Sequence, residues 1–113
     1  MAKAGIQGTW RIVEMDLWDQ DAVDLVAPGL IELRRDRTGS LTFIAVETTL
    51  DVRYSNSDGT SSAEFSWDGF DEGDPVSGRG SVSLHSDGTL RGHLYFHMGD
   101  DYSGFVATRT VRG

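Results

Sequence analysis

The chain has 113 residues and no cysteine, with 18 acidic and 10 basic side chains and a formal net charge of −8. This length suits a single domain with one core, and the lack of thiols excludes disulfides, thiolate metal sites and a cysteine nucleophile. The negative charge disfavours nucleic acid and anionic membranes as partners. No apolar run approaches the roughly 20 residues that span a bilayer, and residues 1–6 lack the apolar core of a secretory signal. We therefore expect a cytoplasmic protein.

Runs of β-branched and aromatic residues, separated by glycine-containing turns, favour strands along the whole chain. Eight strands are predicted, at 9–18, 30–34, 40–46, 48–54, 62–67, 78–84, 89–97 and 102–109, with a long loop at 68–75. Consecutive hairpins form a meander, and eight strands are enough to close a barrel. We predict an all-β fold, an eight-stranded antiparallel up-and-down barrel over residues 8–113, with residues 1–7 as a tail. A flattened sandwich is the alternative.

The segment between the first two strands is acidic and poor in strand-forming residues. It runs from Asp19 to the turn signal Pro28-Gly29. Asp19 or Asp21 could act as the N-cap of a short helical turn. We expect either a lid over one mouth of the barrel or an ordinary crossover loop.

The first strand carries two carboxylates on the same face as two tryptophans. In a regular strand, Trp10, Glu14, Asp16 and Trp18 all point the same way. Burying unpaired carboxylates is costly. A bulge near these residues would move the carboxylates outward, so the pattern leaves both orientations open.

Gly8-Thr9-Trp10 near the start of the chain and Arg109 at the end of the last strand resemble the calycin superfamily of lipocalin-like barrels. In that group a first-strand tryptophan packs at the closed end, and an arginine of the last strand lies across it. The resemblance implies that Trp10 plugs the barrel and that the Arg109 guanidinium stacks on the indole.

Residues 8–109 are also similar to a family of small bacterial proteins. The similarity runs through Trp10-Arg11-Ile12-Val13-Glu14-Met15, Phe65-Ser66-Trp67-Asp68-Gly69, Asp71-Glu72, Ser77-Gly78-Arg79-Gly80 and His97-Met98-Gly99-Asp100-Asp101. This resemblance implies no activity, cofactor or catalytic residue.

We expect a non-catalytic function, the binding of a small molecule in the barrel or at its mouth. Aromatic walls and a few polar groups are typical of such sites. The predicted ligand-binding residues are Glu14, Asp16, Trp18, Phe43, Tyr54, Trp67 and His97. The same aromatic residues could instead simply fill the core, because small barrels are often filled by side chains.

Two other functions stay open at this point. The first is an acidic protein-interaction module that meets a basic partner. The second is a metal-dependent enzyme that combines His97 with loop carboxylates. Its candidate metal ligands are Asp68, Asp71, Glu72, Asp100 and Asp101, although their spacing does not match a known calcium loop. We expect no bound cofactor and a monomer or homodimer.

Overall fold

The computed structural model describes residues 5–57, 59–99 and 102–110, and in these ranges eight strands form one closed barrel. The strands are β1 (Gly8–Met15), β2 (Leu30–Leu33), β3 (Thr38–Phe43), β4 (Val46–Ser57), β5 (Thr60–Asp71), β6 (Asp74–Leu84), β7 (Leu90–Phe96) and β8 (Tyr102–Arg109). Each strand pairs antiparallel with the next, and β8 pairs with β1. The predicted eight-stranded up-and-down barrel is confirmed.

Several predicted strand boundaries are wrong: β1 ends at Met15 and not at Trp18, and the largest differences lie in the β4–β6 region. The predicted loop at 68–75 is almost entirely strand, because β5 and β6 are joined by the two-residue turn Glu72-Gly73. Both turn residues have positive φ, +52° and +91°, as type I′ hairpins require. The turn before β4 lies at residues 44–45 rather than near 47. Strands β4, β5 and β6 are therefore the longest of the barrel, with 12, 12 and 11 residues.

Apolar side chains from all eight strands fill the interior of the barrel. The alternating pattern places Ala63, Phe65 and Trp67 of β5 inside, each buried, and Glu64 and Ser66 outside. This alternation is what a two-sided sheet requires when one face is dry and the other is solvated. The resulting core is one continuous cluster of buried residues.

A bulge in β1 settles the orientation of the two carboxylates. Ile12 pairs with Ala107 and Glu14 pairs with Val106, so Val13 has no partner on β8. The extra residue shifts the alternation by one position. As a result Met15 is buried, whereas Glu14 and Asp16 are exposed on the outside of the barrel.

A four-residue helix, α1 (Gln20–Val23), follows β1 at one end of the barrel. Asp19 is its N-cap and accepts a hydrogen bond from the amide of Ala22, at 2.9 Å. Val23 is fully buried, and its carbonyl accepts a 2.7 Å hydrogen bond from the amide of Ile44. The predicted short helix between strands 1 and 2 is confirmed, and none of the described helical residues belongs to a helix that could cross a membrane.

Asp24 ties this helical segment to the first strand. Its two carboxylate oxygens each accept a 2.8 Å hydrogen bond from the Arg11 guanidinium, and Oδ1 also accepts from the amide of Gly29. These bonds favour the ionised carboxylate and hold the pKa of Asp24 well below its usual range. The segment is thus fixed to the barrel by a partly buried ion pair as well as by Val23.

Trp10 and Arg109 close the opposite end of the barrel. Trp10 is buried, its indole N–H donates a 2.9 Å hydrogen bond to the carbonyl of Ile6, and the Arg109 Cζ lies 4.1 Å from the centre of the indole. The Arg109 guanidinium also donates to the carbonyls of Gly5 and Gln7, at 3.0 and 2.7 Å. Residues 5–7, part of the predicted tail, therefore pack against the barrel, with Ile6 in its core.

We expect the Arg109→Lys variant to lower the free energy of unfolding by about 1–2 kcal/mol. Lysine keeps the positive charge, but it cannot stack on the indole as a plane and donate to two carbonyls at once. Urea unfolding would measure the loss. Arg35→Lys, in an exposed turn, is the matched control. Equal stability of the two variants would contradict the closing role of Arg109.

We expect the Asp24→Asn variant to lose about 1–2 kcal/mol of stability at pH 7, because the charge-assisted hydrogen bonds to Arg11 are lost. The folded pKa of Asp24 is depressed, so the stability it contributes is present above its unfolded value of about 3.9 and is lost as the pH falls below that. The difference from the wild type should therefore shrink between pH 5 and pH 2, as followed by urea unfolding.

The exposed Asp21 of the same helix supplies the control, Asp21→Asn. A difference between Asp24→Asn and the wild type that stayed constant down to pH 2 would rule out the proposed role of the ionised Asp24.

Candidate functional site

Four aromatic rings fill the end of the barrel that carries α1. Trp18 packs on Phe43 with ring centres 5.6 Å apart, and Phe96 contacts both Phe43 and Trp67, at 6.4 and 4.9 Å. Phe43 and Trp67 are 0 and 2 % exposed. The predicted ligand-binding residues Trp18, Phe43 and Trp67 are thus brought close together, but their rings pack against one another as core.

The other predicted ligand-binding residues do not join this cluster. The hydroxyl of Tyr54 donates to the carbonyl of Arg34, at 2.7 Å, near the opposite end of the barrel. Burial and the nearby Asp36 charge raise the pKa of Tyr54. Glu14 and Asp16 lie outside, and an Asp16 carboxylate oxygen accepts from the amide of Gly104, at 3.1 Å. These residues therefore do not line one interior site.

His97 lies instead on a groove along the outer surface of the sheet. Strand register aligns the outward-facing residues of β4–β7 in rows, of which Asp51, Ser66, Arg79 and Tyr95 form one. His97 extends the neighbouring row, since its amide donates a 2.7 Å hydrogen bond to the carbonyl of Ser77. We call the groove over these rows the outer channel.

The outer channel has three adjoining sections, with volumes of about 570, 410 and 590 Å³. Its outward-facing polar lining consists of Thr49, Asp51, Arg53, Ser55, Ser62, Glu64, Ser66, Asp68, Ser77, Arg79, Ser81, Ser83, His85, Arg91, His93, Tyr95 and His97. Arg79 borders the first two sections and Glu64 borders the last two. The first section, around Arg79 and His97, is the candidate binding site.

Small residues at the centre of the sheet create this groove. On β5 and β6 the outward positions are largely serines, including Ser66, Ser77 and Ser81. Longer side chains stand on both sides, Asp51 on β4 and Tyr95 on β7. Neighbouring strands are about 4.8 Å apart, so the floor spans two strands and the walls are roughly 14 Å from each other.

Core packing holds Arg79 in the middle of the channel. Gly78 and Gly80 flank it and face inward, where a Cβ would lie 2.5 Å from the Trp67 ring and 2.6 Å from the Phe65 ring. The two rings therefore pack directly under β6. The Trp67 indole N–H also donates to the carbonyl of Arg79, at 3.3 Å. The backbone that carries the Arg79 side chain is thus anchored from below.

Arg79 differs from the other arginines of the described strands in having no acceptor. Arg11, Arg53 and Arg91 pair with aspartates, at 2.8, 3.5 and 3.1 Å, and Arg109 donates to carbonyls. Across the part of the chain that the structure describes, Arg79 has neither a side-chain hydrogen bond nor an ion pair.

The channel has a different electrostatic character from the rest of the chain. It combines three arginines with three carboxylates, although the chain as a whole carries a formal charge of −8. All three histidines of the sequence, His85, His93 and His97, line it. Positively and negatively charged side chains are therefore concentrated, together with serine hydroxyls, on one face of the barrel.

The candidate metal ligands do not form a metal site within the described ranges. Asp68 and His97 line the same section of the channel, and Asp71 and Glu72 lie at the β5–β6 turn. The described residues contain no group of three or more side chains suited to a metal ion. The remaining two candidates, Asp100 and Asp101, lie outside the described residues.

Sequence reasoning missed Arg79, Ser66 and Ser77 as site residues. Alternation alone places each of them on an outer face, but only the pairing register of β5 with β6 brings Ser66 beside Arg79, with Ser77 in the adjacent row. A signal was present in the run Ser77-Gly78-Arg79-Gly80-Ser81, in which small residues surround one long cation.

Comparison of the sequence with protein-family models and with curated proteins finds no match.

We expect the Gly80→Ala variant to lower the free energy of unfolding by about 2 kcal/mol. The added methyl group would lie 2.6 Å from both the carbonyl oxygen of His93 and the Phe65 ring, and core overpacking costs about 1–3 kcal/mol. Thermal or urea unfolding would measure this loss. Ser77→Ala, on the outer face of the same strand, should change stability by less than about 0.5 kcal/mol. Equal stability of the two variants would contradict the packing of the rings under β6.

Proposed function

We propose that the protein binds a small polar molecule in the first section of the outer channel and does not transform it. The observation that carries this proposal is the guanidinium of Arg79, which has no acceptor among the described residues, in a groove of about 570 Å³. Pockets of roughly 300–1,000 Å³ with a few convergent polar groups are typical of small-molecule sites. The sequence led us to expect the ligand in the barrel or at its mouth, whereas this proposal places it on the outer face.

Rigidity of the sheet supports this location. The floor is formed by β5 and β6, which pair over ten positions from Ser62↔Ser83 to Asp71↔Asp74. Below it, Trp67 and Phe65 are buried at 2 and 3 % exposure. A site on a packed sheet needs little ordering when its ligand binds, and this reduces the entropic cost of association.

The polar groups of the first section complement a ligand with several hydrogen-bonding groups. Ser66 and Ser77 supply hydroxyls on the floor, and Tyr95 supplies a hydroxyl and an apolar ring on one wall. Asp51 on the other wall and Asp68 on the floor supply acceptors. Such mixed donors and acceptors favour a hydroxylated or zwitterionic molecule over an apolar one.

Native mass spectrometry of the protein, gently purified from its own cells, tests this proposal. We expect a reproducible added mass that is lost on denaturation. Ser66→Trp would place an indole on the channel floor and should abolish the adduct. Thr108→Trp, on the exposed face of β8 away from the channel, should keep it. Circular dichroism would first establish that both variants fold.

Two results would overturn channel binding. One is an adduct retained in full by the folded Ser66→Trp variant. The other is a clean apo mass for the wild type at every pH and buffer tested.

A second candidate function is contact with a basic protein partner at the end of the barrel near the β5–β6 turn. Phe70 and Met98 are 57 and 92 % exposed there and line one groove, close to Asp68 and Glu72. An apolar patch with an acidic rim suits a partner with the complementary pattern. Such a complex should dissociate with rising salt and should be weakened by Phe70→Ser. Binding that is indifferent to both changes would count against it.

A further inference from the structure

We infer that the ligand of the outer channel carries an anionic group, a carboxylate or a phosphate, on a hydroxylated chain, and that Arg79 binds this group. The inference rests on the proposed function and names the chemical class of the ligand. Its basis is the contrast between Arg79 and every other arginine of the described strands.

The neighbours of Arg79 make this contrast informative. Glu64 and Asp68 are its diagonal neighbours on β5, through the pairs Glu64↔Ser81 and Asp68↔Ser77. Diagonal pairs are typically within about 7–8 Å, a distance that long side chains can bridge. Even so, neither carboxylate pairs with Arg79 in the described structure. By contrast, Arg53 on β4 pairs with Asp51 of the same strand.

The groups directly beside Arg79 are donors. Ser66 is its partner on β5 and Tyr95 its partner on β7, and Ser77 and His97 complete that side of the section. A planar guanidinium with hydroxyl donors on both sides matches the oxygens of a carboxylate or phosphate. No described carboxylate competes for this position, so an anion from solution can occupy it.

The side chains facing Arg79 across the channel determine which chemical groups suit the rest of the ligand. Asp51 lies two strands from Arg79, through Ser66, which corresponds to about 10 Å between backbones. Asp68 accepts from Thr49 at 3.4 Å and has further acceptor capacity. Both aspartates can accept hydrogen bonds from hydroxyls, Asp51 from the opposite wall and Asp68 from the floor beside Ser77. A hydroxylated chain with the acidic group at one end satisfies both walls.

Three probes test this inference: the matched pair gluconate and sorbitol, and glucose 6-phosphate, which is a ring in solution. Gluconate and sorbitol share one open hydroxylated chain and differ in a carboxylate against a hydroxymethyl group. Glucose 6-phosphate distinguishes a phosphorylated from a carboxylated source. Each would be titrated to millimolar concentration into ¹⁵N-labelled protein, with binding followed by amide chemical shifts.

We expect saturable shifts at Ser66, Ser77, Arg79 and Tyr95 with gluconate, glucose 6-phosphate or both, and none with sorbitol. Arg79→Gln should weaken the binding by at least about tenfold, the loss expected for a charge-assisted hydrogen bond. The control, Arg35→Gln, removes an exposed arginine of the β2–β3 turn and should change nothing.

Shifts of equal size with sorbitol, no shifts with either anion, or full binding by folded Arg79→Gln would each overturn the inference. The native mass-spectrometry test keeps this failure separate from failure of channel binding. If the cellular adduct is lost in Ser66→Trp but retained in Arg79→Gln, the channel binds a ligand and Arg79 does not select an anion.

Discussion

The pairing of β1 with β8 is the constraint on which the rest of the structure depends. It joins the first strand to the last and closes the sheet into a barrel. The bulge at Val13 lets Ile12 and Met15 both face the core while Glu14 remains in solvent. Arg109 then locks the closure by stacking on Trp10.

The packed interior of the closed barrel is the reason that the candidate binding surface lies on the outer face. The inward rings of Phe65 and Trp67 occupy the space that a ligand would need. Gly78 and Gly80 have no side chain that would clash with these rings. The same run of residues presents Arg79 outward between small neighbours. Core packing and the candidate site are thus two faces of β5 and β6, and a change on one face is expected to affect the other.

The fold could be predicted from the sequence because its main signals are local. Alternation in β5 identifies Phe65 and Trp67 as inward, and Asp19 is a recognisable helix cap. The β5–β6 hairpin could not be predicted as well. Acidic residues such as Asp71 and Asp74 are depleted in strands, yet they pair there beside a type I′ turn. The extended hairpin is long, so its polar residues can stay in solvent.

The site was less predictable than the fold, since it depends on contacts between distant parts of the chain. Nothing local distinguishes a ring that lines a cavity from one that fills it, so the aromatic set containing Phe43 was equally consistent with both. The row of Ser66, Arg79 and Tyr95 exists only when three strands pair in one register. A shift of a single residue would move Arg79 to the other face.

A crystal structure of the protein purified from its own cells, without added ligand, would test the central claim most directly. We expect electron density for a small molecule over Ser66 and beside Arg79, with only side chains inside the barrel. A ligand enclosed among Phe65, Trp67 and Leu94, with the outer channel holding solvent alone, would contradict it.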